Sequence, residues 1–148
     1  MEAIVRKMEI KDLDDVVLIE EISFPTPWSK SAFEKELKKN LLAKYLVVTL
    51  EEKVVAFGGM WLIVDEAHVT NIAVHPDYRG KQLGKLLVEG MIKEAHSIGM
   101  LRMTLEVRRS NIVAQNLYKA LGFLFCGVRP GYYQDNGEDA IIMWRDIE

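Results

Sequence analysis

One cysteine in 148 residues leaves no disulfide possible within the chain. Such usage fits a reducing compartment. That residue, Cys126, sits among Leu124, Phe125 and Val128, so a buried and inert thiol is expected there rather than a nucleophile. Positive charge is also short: 19 Lys and Arg stand against 22 Asp and Glu, a net charge of −3. Non-specific nucleic-acid binding needs a basic surface, so no direct nucleic-acid partner is expected. No apolar run reaches the length of a membrane span. The opening Met-Glu-Ala-Ile-Val lacks the basic start and apolar stretch of a secretion signal, so a cytoplasmic protein with no membrane partner is expected. Internal repeats and low-complexity segments are missing as well. His68, His75 and His96 form no ligand spacing with Cys126, so no metal is expected. No Ser-His-Asp arrangement is suggested. Two phosphate loops are excluded, since there is no Gly-Lys-Ser/Thr and no Gly-x-Gly-x-x-Gly opening a helix.

What is present is enough for a single packed domain over residues 1–148, with hydrophobic residues at 49% and charged ones at 28%. Residues 3–8 read as a first strand. Asp12 is placed to cap a helix to about Ser23, with Leu13, Val16, Val17, Leu18 and Ile19 as its apolar face. Pro25 and Pro27 break the next stretch into a loop. Ser29 then caps a helix through Lys39. Residues 43–50 and 53–64 form a hairpin across Glu51-Glu52. Gly58-Gly59 inside its second strand predicts a bend or a close backbone approach. Residues 66–74 return antiparallel. A strand over 101–107 alternates apolar and polar side chains. Asn111 caps a helix through Leu121, Gly122 stops it, and strands at 123–128 and 140–144 flank a polar loop. The sum is a mixed α/β (α+β) architecture: a largely antiparallel twisted sheet flanked by helices.

The stretch from Val69 to Gly90 organises this plan. Val69, Ile72 and Val74 end a strand, His75-Pro76-Asp77 breaks it, and Arg79 to Gly84 make a basic, glycine-bearing turn. Leu83, Leu86, Leu87 and Met91 then recur at helical spacing. Strand, turn and helix N-terminus together present free N–H groups to one point, which suits a phosphate.

Arg79-Gly80-Lys81-Gln82-Leu83-Gly84 resembles the acyl-CoA pyrophosphate loop of the GCN5-related N-acetyltransferases, whose pattern is Gln/Arg-x-x-Gly-x-Gly/Ala. Gln82 stands where that family usually has glycine. A second, denser match follows in Leu105-Glu106-Val107-Arg108-Arg109-Ser110-Asn111, Ala114, Leu117-Tyr118 and Gly122-Phe123. It is similar to the protein N-terminal acetyltransferases of the family. Tyr132-Tyr133, Glu138-Asp139-Ala140 and Pro27-Trp28-Ser29 extend the likeness over nearly the whole chain. The nearest pattern is that of the bacterial members acting on a ribosomal protein that begins with alanine.

The resemblance implies acetyl-CoA as co-substrate and direct attack of a protein's α-amine on its thioester. Ile72, Ala73, Val74, Arg79, Gly80, Lys81, Gln82, Leu83, Gly84, Lys85, Asn111 and Tyr118 would hold the cofactor. Phe24, Pro25, Trp28, Tyr132 and Tyr133 would wall the substrate groove. A monomer or weak oligomer is expected. An α-amine of pKa ~7.7–8.0 is largely protonated near neutrality, so a base is needed, and Glu106 is the candidate. An ordinary carboxylate, at ~4.3, is weak for that task unless burial or a relayed water assists. Tyr118 is the candidate acid beside the leaving sulfur. A phenol at ~10 is a weaker acid than a thiol at ~8.5, which favours hydrogen bonding over full proton transfer. Two other functions are compatible with the same residues: acetylation of a small amine such as a polyamine or aminoglycoside, and acyl-CoA binding without catalysis.

Overall fold

The computed structural model describes residues 2–147. In chain order it contains β1 (Ala3–Lys7), α1 (Leu13–Ser23), α2 (Lys30–Lys39), β2 (Ala43–Leu50), β3 (Lys53–Ile63) and β4 (Glu66–Val74). There follow α3 (Leu83–Ser97), β5 (Arg102–Arg108), α4 (Ile112–Ala120), β6 (Leu124–Arg129) and β7 (Ala140–Asp146). The strands form one seven-stranded sheet in the order β1-β2-β3-β4-β5-β7-β6. Every neighbouring pair is antiparallel except β4 with β5. The mixed, largely antiparallel sheet read from the sequence is thus the one observed, and α3 is the crossover between its parallel strands.

The central strands are apolar on both sides because both faces of the sheet are covered. In β2, Tyr45 and Val47 pack with Phe33, Phe57, Leu13, Val16 and Ile19 beneath α1 and α2. The alternate residues Leu46 and Val48 pack with Leu87, Val88 and Met91 of α3. Phe33 is fully buried with its ring 5.7 Å from that of Phe57. Its truncation to alanine would cost about 3–5 kcal/mol. A Cβ on Gly58 would fall 2.7 Å from Met91 Sδ, and one on Gly59 2.7 Å from the Tyr45 ring. The strand register also shifts between Gly59 and Met60. Both the close approach and the bend expected at this pair are present.

Two helix caps form as read. Ser29 Oγ accepts the Ala32 N–H at 3.1 Å, and Asn111 Oδ1 accepts that of Ala114 at 3.1 Å. Asp12 does not cap α1. Its carboxylate takes both Arg6 guanidinium nitrogens at 2.8 Å and the Glu9 N–H at 2.7 Å. A charged fork outcompetes a single neutral amide for those oxygens. Leu18, expected on the buried face of α1, is 52% exposed. Its place inside is taken by Glu20. Cys126 is exposed, not buried. It lies on β6, which is an edge of the sheet, and its neighbours Leu124 and Phe125 are exposed too.

Candidate active site

The site is set by where two parallel strands part. β4 and β5 pair only through Glu66 with Arg102, Ala67 with Met103 and His68 with Thr104. Beyond these, β4 keeps its partner β3 as far as Val74, while β5 keeps its partner β7 as far as Arg108. A wedge therefore opens toward the carboxyl ends of both strands, where parallel strands commonly receive a ligand. The backbone groups that each strand would have offered the other face this gap.

A groove of ≈ 510 Å³ occupies the wedge. Phe24, Pro25 and Trp28 from the loop between α1 and α2 line it, together with Ile72, Glu106, Asn111, Tyr118, Tyr132 and Tyr133. These nine were expected at the site, and the fold brings them together. Ala73 points the other way, into the core beneath α1 and α2, so only its main chain could serve the wedge. Val74 packs in the core under α3. A second hollow, ≈ 740 Å³ in size, lies between β1 and α3 and gathers none of these residues.

The turn from Arg79 to Gln82 is exposed and follows β4 after a short 3-10 turn at Pro76–Tyr78; none of its residues lines the groove. Arg79 Nε donates to the Val74 carbonyl at 3.3 Å. Gly80 has φ +78°. Gln82 itself adopts the left-handed region, with φ 60° and ψ 24°, and precedes α3 without a side-chain cap. The conformation usual for glycine is thus kept by a residue with a side chain. The first N–H groups of α3, on Leu83, Gly84 and Lys85, have no acceptor within the helix. With Lys81 and Lys85 nearby in sequence, they form a positive end suited to phosphate.

Glu106 on β5 is half-buried and lies 2.6 Å from Arg129 Nε. The N–H does not point at the oxygen, so this is an ion pair rather than an aligned hydrogen bond. The Tyr132 phenol faces the same carboxylate. Tyr118 is 7% exposed on α4, and burial, then the nearby Tyr133, pushes its phenol up to about 12. The Tyr132 and Tyr133 rings meet edge to face at 5.1 Å. Arg108 sits 4.0 Å over the Tyr133 ring. Arg108 is itself held by Asp135 at 3.0 Å and Glu138 at 3.3 Å. Glu138 also accepts the Ser110 N–H at 2.6 Å. The Ser110 hydroxyl and then this N–H, with Arg108 and Asn136, hold the Glu138 carboxyl down to about 2. The loop that carries both tyrosines is therefore fastened to the end of β5.

The profile of the Acetyltransferase (GNAT) family matches residues 13–123. The chain belongs to this family. It is 44% identical over 145 residues to a Bacillus subtilis protein provisionally named a ribosomal protein bS18 alanine N-acetyltransferase, covering 98% of this chain and 96% of that one. It is 39% identical over 143 residues to the Escherichia coli bS18 alanine N-acetyltransferase, covering 94% of each. The crystal structure of the E. coli ribosomal-protein-S18-alanine N-acetyltransferase superposes with a TM-score of 0.90 at 36% identity, over 99% of this chain and 95% of that one.

Acetyl-CoA, the acetyl donor that family membership implies, can be tested against these GNAT features. The unpaired strand edges of the wedge and the free donors of the turn supply what an extended arm and a pyrophosphate require. The residues fit the group. Sequence reasoning missed several members of the groove: Glu20, Ser23, Asn71 and Arg108, and Arg129 beside it. Glu20 did carry a signal. It falls at helical spacing from Leu13 and Val16, so it was placed to face inward.

Proposed function

We propose that this protein transfers the acetyl group of acetyl-CoA to the N-terminal α-amine of a protein, a ribosomal protein beginning with alanine. The carrying observation is the groove in which Glu106 and Tyr118 open onto the gap between β4 and β5. The substrate class is supported by the bS18 alanine N-acetyltransferases that match almost the whole chain.

In this reading the unpaired edges of β4 and β5 hold the acyl-CoA arm, and the turn from Arg79 to Lys85 holds its pyrophosphate. Phe24, Pro25 and Trp28 on one side and Tyr132 and Tyr133 on the other hold the N-terminus. The amine nitrogen attacks the thioester carbonyl. A C–N bond forms, the C–S bond breaks, and the nitrogen loses a proton. Glu106 takes that proton directly or through a water, and Arg129 keeps the carboxylate in place until the amine arrives. Tyr118, with its phenol near 12, stays protonated and donates a hydrogen bond to the departing sulfur rather than giving up its proton. Asn111 borders the arm but already spends its oxygen on the helix cap.

Thiol release from acetyl-CoA tests the reading with two acceptors. One peptide begins with a free alanine; the other has its α-amine blocked and a lysine free. Release with the first alone is expected. Release with the second alone, or with free polyamines but neither peptide, would replace the acceptor assigned here.

A further inference from the structure

One ionisable side chain in the groove has no part in the chemistry described above. Glu20 is 3% exposed on the inner face of α1 and lines the same groove as Glu106 and Tyr118. Its Oε2 accepts the Trp28 N–H at 2.9 Å. Its Oε1 is buried without a hydrogen-bond partner among the described residues. The same is true of Ser23 Oγ and Asn71 Nδ2, both on residues that line the groove. Ser23 stands one turn further along α1, on the same face as Glu20. Asn71 comes from β4.

Burial raises the Glu20 carboxyl above the ordinary range, while the Trp28 N–H and the nearby Asn71 amide, which faces it without hydrogen-bond geometry, pull it back. Two dipoles thus support the charged form, but no cation does. The other charged groups of the groove are already matched. Glu106 has Arg129, and Arg108 has Asp135 and Glu138. Among the described residues, Glu20 is the groove's one carboxylate without a positive partner. An unpaired buried charge is costly, and a protein keeps one where something else supplies the partner.

We propose that Glu20 is a positioning residue whose buried charge is the counter-charge for the α-ammonium of the incoming N-terminus. The inference rests on the function proposed above. The nitrogen is cationic when it enters, and again as the C–N bond forms before its proton leaves. A charge set in a low-dielectric wall acts on it over several ångströms without contact. The acetylated product is a neutral amide and loses that attraction, so the same residue distinguishes substrate from product.

The test separates this role from a simple tie to Trp28. Glu20→Gln keeps an oxygen for the Trp28 N–H and removes the charge. The protein saturated with CoA is titrated near neutral pH with two peptides of one sequence, one with a free α-amine and one N-acetylated. Wild type is expected to prefer the free amine by about tenfold or more. Glu20→Gln is expected to erase that preference while leaving its affinity for CoA and for the acetylated peptide unchanged. Asn71→Leu, which leaves the Trp28 contact in place, is expected to weaken the preference in the same direction. Full preference retained in Glu20→Gln would overturn the proposal. So would an equal loss of affinity for both peptides, which reports the loop tie alone. Wild type that binds neither peptide would remove the proposed function, and this inference with it.

Discussion

At the residue scale, local chemistry pushes two groups apart, one in the groove and one in the loop fastened beside it. Tyr118 is held above its ordinary range and Glu138 well below its own. Replacing Tyr118 by phenylalanine is expected to lower turnover ~10²–10⁴-fold while leaving the melting temperature near wild type. A Tyr118→Phe enzyme with near-normal turnover would remove the phenol from the mechanism. The pH profile adds a second check. With its phenol near 12, Tyr118 contributes no alkaline fall in kcat between pH 8 and 10. Residues whose partners lie within a turn of them, such as Ser29 and Asn111, are legible in the sequence because a cap is a local event. Asp12 is not, because its partner Arg6 comes from β1. Cys126 misleads for a related reason. Its neighbours are apolar, but only sheet order reveals that β6 is an edge.

At the scale of elements, three turns put residues with side chains in the left-handed region: Glu51-Glu52, Val64 with φ 58°, and Gln82. Glu51 and Glu52 join β2 to β3 with φ of 49° and 70°. That is the two-residue hairpin geometry for which Asn-Gly is preferred. Replacing Glu51-Glu52 by Asn-Gly is expected to stabilise the protein by about 1 kcal/mol, read from denaturant midpoints. Gln82 is strained in the same sense, so Gln82→Gly is expected to add about 0.4–1 kcal/mol. Because the donors of that turn are main-chain groups, acetyl-CoA affinity should hold. A large loss would mean that the Gln82 side chain itself contacts the cofactor. Strand and helix order is legible from apolar periodicity, since each element's pattern is written within its own residues. The parting of β4 from β5 is not. Nothing in Asn71 or Leu105 alone states that the strand beside it has turned away.

For the molecule as a whole, acid should act first on two carboxylate fastenings, Asp12 against β1 and Glu138 beside the groove. Asp12 and Glu138 both have carboxyls lowered in the folded state. For Asp12, burial raises the carboxyl, but Arg6 and the Glu9 N–H outweigh it. For Glu138, the Ser110 contact leads. Their contribution is therefore complete above the ordinary carboxylate range and is lost as pH falls through the folded values, toward about 2 for Glu138. Glu20 has the opposite sign, since its carboxyl is raised and weakens the fold as pH climbs through the ordinary range. Thermal midpoints should fall between pH 5 and 2, with a shallower fall in Glu138→Gln. Asp12→Asn should cost about 1–3 kcal/mol at neutral pH and also flatten that fall.

The parting of β4 and β5 has a mechanical consequence. Among the described residues only three ladder pairs join the strands β1-β2-β3-β4 to the strands β5-β7-β6, with the Leu101 N–H bonded to the Asp65 carbonyl just before them. The sheet is two panels on a short seam, and a ligand seated in the wedge acts as the missing stitches. Amides along the open margins of β4 and β5 should exchange with solvent early in the empty protein and late with acetyl-CoA bound. The melting temperature should rise with cofactor concentration in step.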